Sequence, residues 1–283
     1  MSTPAPVTFR FGAECYTWFM KGSGRAHAGK LGEMIDVTAR AGFAGIEPIH
    51  GWMGELSDPG KLRACLDQAD IELAAVALAL PWNRSEETEY ERREADAAIA
   101  LLREFPGALL CTVQLPMGRH ELETRRLNLV ANINAVSRRA AEAGVGCSYH
   151  PNSPHGSTNR TAEDYAVILE NLDARVTGWT PDVGHMANGG MNPLEMMKRY
   201  ASLINLVHYK DWDGSPEFCL MGRGKVDFVA ITAWLMEQKY AGWVICEDEG
   251  PQAVEDPDGV TLHDGRWITE TLLPAVGSGG SPN

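Results

Sequence analysis

The chain has 283 residues, of which 44% are hydrophobic and 22% are charged, a composition typical of a globular protein with a sizeable core. Its formal net charge of −13 argues against binding to nucleic acid, which needs a basic surface, and we interpret the acidity as an aid to solubility. The six cysteines form no C-x-x-C pair, which indicates reduced, buried thiols of a cytosolic protein rather than a disulfide framework.

Eight short apolar segments alternate with longer amphipathic segments along the chain. The predicted strands cover residues 9–15, 43–49, 71–80, 108–115, 145–150, 176–183, 203–210 and 242–247. The predicted helices lie near residues 29–41, 59–69, 86–104, 121–143, 161–171, 193–202, 226–239 and 265–274. Asp58-Pro59 and Thr161 are typical helix starts. This alternation predicts a parallel sheet, because each parallel return needs a crossover helix.

An open sheet and a closed barrel are the two arrangements that fit this pattern. An open sheet usually carries a glycine-rich phosphate turn directly after its first strand, but Gly22-Ser23-Gly24 comes too late and lacks the third glycine. We therefore predict a single-domain (β/α)8 TIM barrel over residues 1–276, followed by a flexible Gly/Ser/Pro-rich tail over 277–283. The absence of a signal-like or membrane-spanning segment predicts a cytoplasmic location.

Polar residues follow the predicted strands at the rim where barrel enzymes place their chemistry. In chain order these strand ends carry Glu47, Trp82, Gln114, His150, Asp182, His208 and Glu247. Five of the eight histidines lie at or near this rim, namely His50, His150, His155, His185 and His208. Histidines distributed at random would not cluster in this way, so the rim is predicted to hold the functional site.

Four of these residues, one from each of the last four strands, point to a metal site: His150, Asp182, His208 and Glu247. Two imidazoles and two carboxylates suit a divalent ion, with Mn²⁺ preferred and Co²⁺, Fe²⁺, Zn²⁺ or Mg²⁺ as alternatives. A lone histidine at a rim is more often a hydrogen-bonded structural residue, but the convergence of four donor residues favours the metal.

Six sequence motifs together resemble the xylose isomerase-like, or sugar phosphate isomerase/epimerase, superfamily of metal-dependent barrels. They are AGFAGIEP (41–48), SYHPN (148–152), PDVGH (181–185), NLVHYKD (205–211), GRGKVDF (222–228) and YAGWVICEDE (240–249). The resemblance implies one divalent metal and enolisation of carbonyl sugars. By position, Asp182, His208 and Glu247 match the metal ligands of the family, and His185 matches a histidine that contacts substrate oxygen.

Position 150 departs from the family pattern, because ketose epimerases and isomerases have a glutamate where this chain has His150. Those enzymes use that glutamate and the one on the eighth strand as matched bases on opposite faces of an enediolate. An imidazole paired with Glu247 suits a reaction with a base at one atom and an acid at another, which favours β-elimination. Tyr149-His150-Pro151 is similar to the inosose dehydratase branch and to members that cleave 3-keto-glycosides, although 152–154 resembles an insertion.

Other candidates carry weaker signals. Lys210 is predicted either to polarise a carbonyl as a general acid or to orient a ligand through a salt bridge with Asp211 or Glu247. Glu47 is predicted either to bind or protonate substrate or to be a structural hydrogen-bonding residue. The predicted substrate-binding residues are His185, His155, Trp18, Trp82, Arg223 and Gln114. No glycine-rich helix start with a lysine lies near the rim, so an unphosphorylated polyol is expected.

The preferred hypothesis is a metal-dependent lyase acting on a keto-sugar or keto-cyclitol, and the alternative is a ketose isomerase or 3-epimerase. A zinc-cluster endonuclease is disfavoured by the negative charge, and a non-catalytic barrel by the presence of four ligand residues. We expect a small carbohydrate as partner and a homo-oligomer, with a hetero-complex as the alternative.

Overall fold

The computed structural model describes residues 8–21 and 27–278. Eight strand positions follow each other along the chain, and each overlaps one predicted strand. They are β1 Arg10–Glu14, β2 Gly45–Glu47, β3 in two segments (Glu72–Leu73 and Ala75–Leu80), β4 Leu109–Gln114, β5 Gly146–His150, β6 Thr177–Trp179, β7 Val207–Tyr209 and β8 Trp243–Cys246. Gly22-Ser23-Gly24 and residues 279–283 of the predicted tail lie outside the described residues.

Helices lie between and after these strands. They are α1 Tyr16–Phe19, α2 Leu31–Arg40, α3 Pro59–Ala69, α4 Glu89–Leu102, α5 Leu122–Glu142, α6 Ala162–Leu169, α7 Val183–Asn188, α8 Pro193–Arg199, α9 Phe228–Glu237, α10 Pro251–Glu255, α11 Pro257–Trp267 and α12 Leu273–Gly277. Short 3₁₀ turns cover His50–Trp52, Gly54–Ser57 and Ala201–Leu203, and a π-helical turn joins α11 to α12 over Ile268–Leu272. In the part of the chain that the structure describes, no helix has the length and apolar character of a membrane span.

The strands pair in parallel in the circular order β1 to β8. One sheet contains the first segment of β3, then β2, β1, β8 and β7, and the other contains the second segment of β3, then β4, β5 and β6. Isolated parallel bridges lie at the two seams, Ile49 to Ala77 on one side, and Trp179 to Ile204 and Asp182 to His208 on the other. Each strand therefore has the neighbours expected in an eight-stranded barrel, although isolated bridges rather than continuous ladders join the two sheets.

The register between β1 and β2 positions two acidic residues side by side. Gly12 pairs with Gly45, and a Cβ atom at Gly12 would lie 2.8 Å from the Gly45 carbonyl oxygen. The missing side chains allow the two strands to approach closely here. Two residues further along, Glu14 pairs with Glu47, so both carboxylates reach the same rim of the barrel.

Apolar packing holds this rim in place. The helices cover the outside of the strands, and α2 buries Leu31, Ile35 and Thr38 at helical spacing. A smaller cluster of buried residues contains Cys111, whose sulfur lies within 4.8 Å of ligand atoms of Glu47 and His208. This cluster forms an apolar floor beneath the polar rim.

Two predicted helix starts are confirmed. The Asp58 side chain accepts a hydrogen bond from the Lys61 amide at 2.9 Å, and Pro59 is the first residue of α3. Thr161 caps α6 in a reciprocal box with Asp164. Among the cysteines, all free in the described structure, Cys15, Cys111, Cys147 and Cys246 are buried, in agreement with the prediction of buried thiols.

Candidate active site

The four predicted metal ligands converge at the carboxyl ends of the last four strands. His150 ends β5, Asp182 follows β6, His208 lies in β7 and Glu247 follows β8. One ligand atom from each lies within 4.8 Å of the others, and all four side chains are buried. The circular strand order brings them together, because neighbouring parallel strands end at the same rim.

The His208 imidazole is fixed by carboxylates on both of its nitrogen atoms. Its Nε2 donates to Glu47 Oε2 at 2.9 Å, and its Nδ1 lies 3.3 Å from Glu247 Oε2 and 3.7 Å from Glu14 Oε2. A carboxylate behind a ligand histidine is the usual device that orients the ring and selects its tautomer. Glu47 is fully buried and does not line the cavity described below, so it supports His208 from behind.

Lys210 lies buried among acidic groups. Its ammonium is 3.3 Å from Asp182 Oδ2 and 3.0 Å from Glu247 Oε2, and it also donates to Glu249 and contacts His185 Nε2 at 3.0 Å. Lys210 does not itself line the cavity, whereas Glu247, Glu249 and His185 do. These contacts correspond to the orienting salt bridge predicted for Lys210 with Glu247.

The predicted pairing of Lys210 with Asp211 is wrong. Asp211 accepts backbone hydrogen bonds from Trp212 at 2.8 Å and from Gly222 and Gly224 at 2.9 and 2.8 Å. Its carboxylate therefore closes the loop after β7 instead of meeting the ammonium. Adjacent residues at a strand end alternate in direction, which separates the two side chains.

Asp182 and His185 form a local unit at the start of α7. Asp182 Oδ1 accepts a hydrogen bond from the His185 amide at 2.7 Å, which makes Asp182 the N-cap of this helix. The His185 ring is positioned by Ser153, whose hydroxyl lies 2.9 Å from Nδ1, and it packs edge-on against Phe218. One oxygen of Asp182 is thereby committed to the helix, and Oδ2 is left facing His150 and Lys210.

Burial and the concentration of charge shift several pKa values. Burial acts to lower the pKa of His208, but the carboxylates of Glu47 and Glu247 raise it to about 10. Burial and the nearby Lys210 ammonium lower the pKa of His185 to about 3. Burial acts to raise the pKa of Glu247, but the Lys210 ammonium together with the contacts from His208 and Glu14 outweighs it and holds the pKa well below its ordinary value.

A cavity of about 340 Å³ opens above the donor residues. Its polar wall contains Glu14, Gln114, His150, Asn152, His185, His208, Glu247 and Glu249. Among the described residues that line it, none is a lysine or an arginine. Gln114 is held by its amide, which donates to Asn152 and to Ser157 at 2.7 Å each. The cavity thus joins the donor residues to a space suited to a small, uncharged molecule.

Four of the predicted substrate-binding residues lie elsewhere. The Trp18 indole is buried in the core and donates to Asp258 at 2.7 Å, and the buried Trp82 indole donates to the Val113 carbonyl at 3.2 Å. Arg223 is exposed in the loop before α9, and His155 is exposed and lines a second, neighbouring cavity of about 730 Å³. None of the four lines the cavity above the donor residues.

Residues outside the sequence-based set also form this cavity. Glu14 is the last residue of β1 and lines the cavity. The search for polar residues at strand ends would have found Glu14 if it had included the first strand. Glu249, two residues after Glu247, lines the cavity as well. Tyr16, Phe19 and Trp52 form an aromatic wall that no short-range sequence pattern indicates, because α1 and the separate 3₁₀ turn after β2 contribute the rings.

The donor set fits a divalent ion of the transition-metal type. His150 Nε2 lies 3.4 Å from Asp182 Oδ2, and His208 Nδ1 lies 3.3 Å from Glu247 Oε2. These separations are long for charged hydrogen bonds, and they match the spacing of about 3–3.5 Å between neighbouring ligands of one ion with bonds near 2.1 Å. Mixed imidazole and carboxylate ligands suit Mn²⁺, Fe²⁺, Co²⁺ or Zn²⁺.

Comparison with known proteins gives consistent matches over most of the chain. A family model described as "Xylose isomerase-like TIM barrel" matches residues 35–271. An inosose dehydratase of Geobacillus kaustophilus is 28% identical over 259 residues, which is 80% of this chain and 82% of the relative. These matches confirm the predicted barrel fold and the predicted superfamily.

Two solved structures show the same fold. The D-psicose 3-epimerase of Clostridium cellulolyticum H10, solved with D-tagatose, has a TM-score of 0.73 and 15% identity, with coverage of 95% of this chain and 99% of the other. The IolI protein with a bound zinc atom has a TM-score of 0.71 and 18% identity, with coverage of 97% and 100%. The prediction that the chain is an enzyme is confirmed by its curated relatives, which are named as inosose dehydratases.

Proposed function

Because the chain belongs to the xylose isomerase-like TIM-barrel family, we propose that it is a divalent-metal-dependent enzyme that acts on an unphosphorylated keto-sugar or keto-cyclitol by β-elimination. The convergence of His150, Asp182, His208 and Glu247 below a cavity carries this proposal. The lack of lysine and arginine among the described lining residues supports a substrate without phosphate.

His150, Asp182, His208 and Glu247 would hold the ion, and the IolI protein of the same fold is named with a bound zinc atom. When bound, the ion supplies Lewis acidity that polarises the substrate carbonyl and makes the neighbouring C–H more acidic. We assign the removal of that proton to Glu247, which lines the cavity and is kept ionised by Lys210 at 3.0 Å. Loss of the proton and of a β-hydroxyl as water leaves an unsaturated ketone, so the atoms balance.

The arrangement of carboxylates favours elimination over epimerisation. An epimerase of this type needs a proton carrier on each face of one carbon, and besides Glu247 the cavity contains the carboxylates of Glu14, Glu94 and Glu249. Glu14 and Glu247 follow the neighbouring strands β1 and β8, however, and both approach His208 Nδ1, so they lie on one side of the site. Glu249 lines the cavity outside the donor set, and burial raises its pKa to about 8, so we assign to it the protonation of the departing hydroxyl.

The test is incubation of the Mn²⁺- or Co²⁺-loaded protein in D₂O with inososes, 3-keto-glycosides and free ketoses, followed by NMR. We expect deuterium next to the carbonyl together with loss of water or of the aglycone. Deuterium exchange that yields only an epimer or an aldose would establish the alternative, a ketose isomerase or 3-epimerase. No exchange with any metal, together with unchanged metal content in Glu247→Gln, would refute the metal-enzyme proposal.

A further inference from the structure

The cavity above the donor residues has two chemically different halves. The donor residues come from β5–β8, whereas the opposite wall comes from β2–β4 and the segments that follow them. In a barrel with circular order β1 to β8, strands β2, β3 and β4 face β6, β7 and β8 across the mouth. A bound molecule that contacts the donor residues therefore extends toward a wall of different composition.

This opposite wall offers few hydrogen-bonding side chains. Its aliphatic members are Ile49, Ala77, Leu78, Ala79, Leu80, Val113, Leu115 and Pro116. The backbone groups of β3 and β4 are already paired with each other from Ala75 to Leu80. A cyclitol carries hydroxyl groups around its whole ring, and those turned toward these aliphatic side chains would lose water without gaining a partner. An apolar group would bury its surface here at no such cost.

An aromatic stack borders the apolar half. Tyr16 and Phe19 stack with ring centroids 4.7 Å apart and planes 20° apart, and Phe19 stacks on Trp52 at 4.7 Å and 9°. All three rings line the cavity. Together they form an aromatic border of the cavity, against which a further planar ring can pack.

A second polar pair lies in this half, away from the donor strands. His50, in the turn after β2, has its Nδ1 3.7 Å from Glu94 Oε2 on α4, and both residues line the cavity. The His50 Nδ1 atom is buried and has no hydrogen-bond partner among the described residues. This pair is suited to a hydroxyl or similar substituent carried by the planar ring.

We propose that the apolar half, formed by the β3 and β4 side chains and the Tyr16–Phe19–Trp52 stack, binds an aromatic aglycone, so that the substrate is an aryl 3-keto-glycoside rather than a free keto-cyclitol. This inference rests on the proposed elimination. A proton leaves the carbon between the ketone and the glycosidic carbon, and the glycosidic C–O bond breaks. The aglycone departs as a phenol after gaining a proton, and a carbon–carbon double bond conjugated with the ketone remains.

Binding of unreactive probes tests the subsite without any chemistry. Phenyl and methyl β-glucosides, which lack the ketone, are titrated into the Mn²⁺-loaded protein by calorimetry, and we expect the phenyl glucoside to bind about tenfold more tightly, equivalent to about 1.4 kcal/mol. Equal affinities would overturn the aglycone subsite. The same two aglycones on 3-keto-glucosides then test turnover, where kcat/KM should favour phenyl by a similar factor.

The two measurements separate this inference from the proposed function. A phenyl preference in binding without turnover of any keto compound would support the subsite and refute the elimination. Efficient turnover of inososes and methyl 3-keto-glucoside without a phenyl preference would support the elimination and refute the subsite.

Variants locate the effect on the apolar wall. Trp52→Ala removes the outer ring of the stack, and Ala79→Phe fills the space beside β3; both should abolish the tenfold preference for phenyl. Because Ala79→Phe truncates no packed ring, it tests the same site if Trp52→Ala does not fold. Leu127→Ala, at an exposed position of α5 that does not line the cavity, is the control and should keep the preference. A preference that persists in both test variants would contradict the assigned wall.

Discussion

Glu47 shows how one buried side chain can act on the site without touching the substrate. It is fully buried, ends β2, and accepts a hydrogen bond from His208 Nε2 at 2.9 Å. This contact leaves the Nδ1 atom of His208 directed at Glu247 and the other donor residues. Because a ligand imidazole must present one nitrogen in a fixed direction, we regard Glu47 as a positioning residue for His208.

We predict that Glu47→Gln weakens Mn²⁺ binding by about 10–100-fold, because the amide keeps the shape but removes the charge that orients and polarises the imidazole. The dissociation constant for Mn²⁺ is measured by calorimetry. Glu55→Gln is the control, since Glu55 is an exposed carboxylate paired with Lys61 at 3.0 Å. Unchanged Mn²⁺ affinity in Glu47→Gln would show that the contact is only structural.

At the scale of single elements, the start of α6 is held by an unusually complete set of contacts. The Asp164 side chain is buried, receives backbone hydrogen bonds from Arg160 and Thr161 at 2.8 Å each, and pairs with Arg119 at 2.8 Å and with Arg126. Burial acts to raise the pKa of Asp164, but these donors outweigh it and lower the pKa to about 2. The carboxylate therefore links α6 to the loop that follows β4 and to α5.

This cluster predicts a pH-dependent stability. A pKa lowered by folding stabilises the protein above the unfolded value of about 3.9, and the stabilisation is lost as the pH falls toward about 2. In urea unfolding of the metal-free protein, the wild type should lose stability over this range more steeply than Asp164→Asn. At neutral pH, Asp164→Asn should cost about 3 kcal/mol, because two arginines lose a buried partner.

The neighbouring carboxylate provides the comparison for this experiment. Glu163 also pairs with Arg126, at 3.3 Å, but its side chain is 79% exposed. Glu163→Gln should therefore change stability by less than about 1 kcal/mol and should keep the wild-type slope with pH. Parallel pH curves for the wild type and Asp164→Asn would contradict the role given to Asp164.

Element boundaries were predictable where the signal is local. Asp58-Pro59 marks the start of α3 because a side-chain acceptor and a proline meet the needs of a first helical turn. The same pair at Asp256-Pro257 starts α11, eight residues before the helix predicted at 265. The strand predicted over 176–183 ends at Trp179 in the structure. Asp182 lies in the same largely apolar segment, but its side chain caps α7, so the chain enters a helix there. Local capping chemistry prevails over hydrophobic pattern in both places.

At the scale of the whole molecule, the circular strand order explains why the donor residues could be predicted. Residues at the ends of neighbouring parallel strands meet whatever their separation in sequence, so His150 and Glu247 meet through topology alone. Side-chain direction in loops and short helices has no such rule. Trp18 points into the core and donates to Asp258, a contact across 240 residues that no short-range pattern contains.

The same topology concentrates negative charge at one end of the barrel, and this predicts the effect of metal removal. The buried carboxylates there belong to Glu47, Asp182 and Glu247, whereas burial and the neighbouring Glu247 raise the pKa of Glu14 well above its ordinary value. Lys210 and His208 are the cations among the described residues that contact them.

A divalent ion offsets part of the remaining charge, so Mn²⁺ at about 100 times its dissociation constant should raise the free energy of unfolding by about 2.7 kcal/mol. Calorimetric melting should show a higher Tm with Mn²⁺ and reversal by a chelator. Glu247→Gln should lose most of this shift, and an identical wild-type Tm with and without Mn²⁺ would contradict a metal bound in the folded barrel.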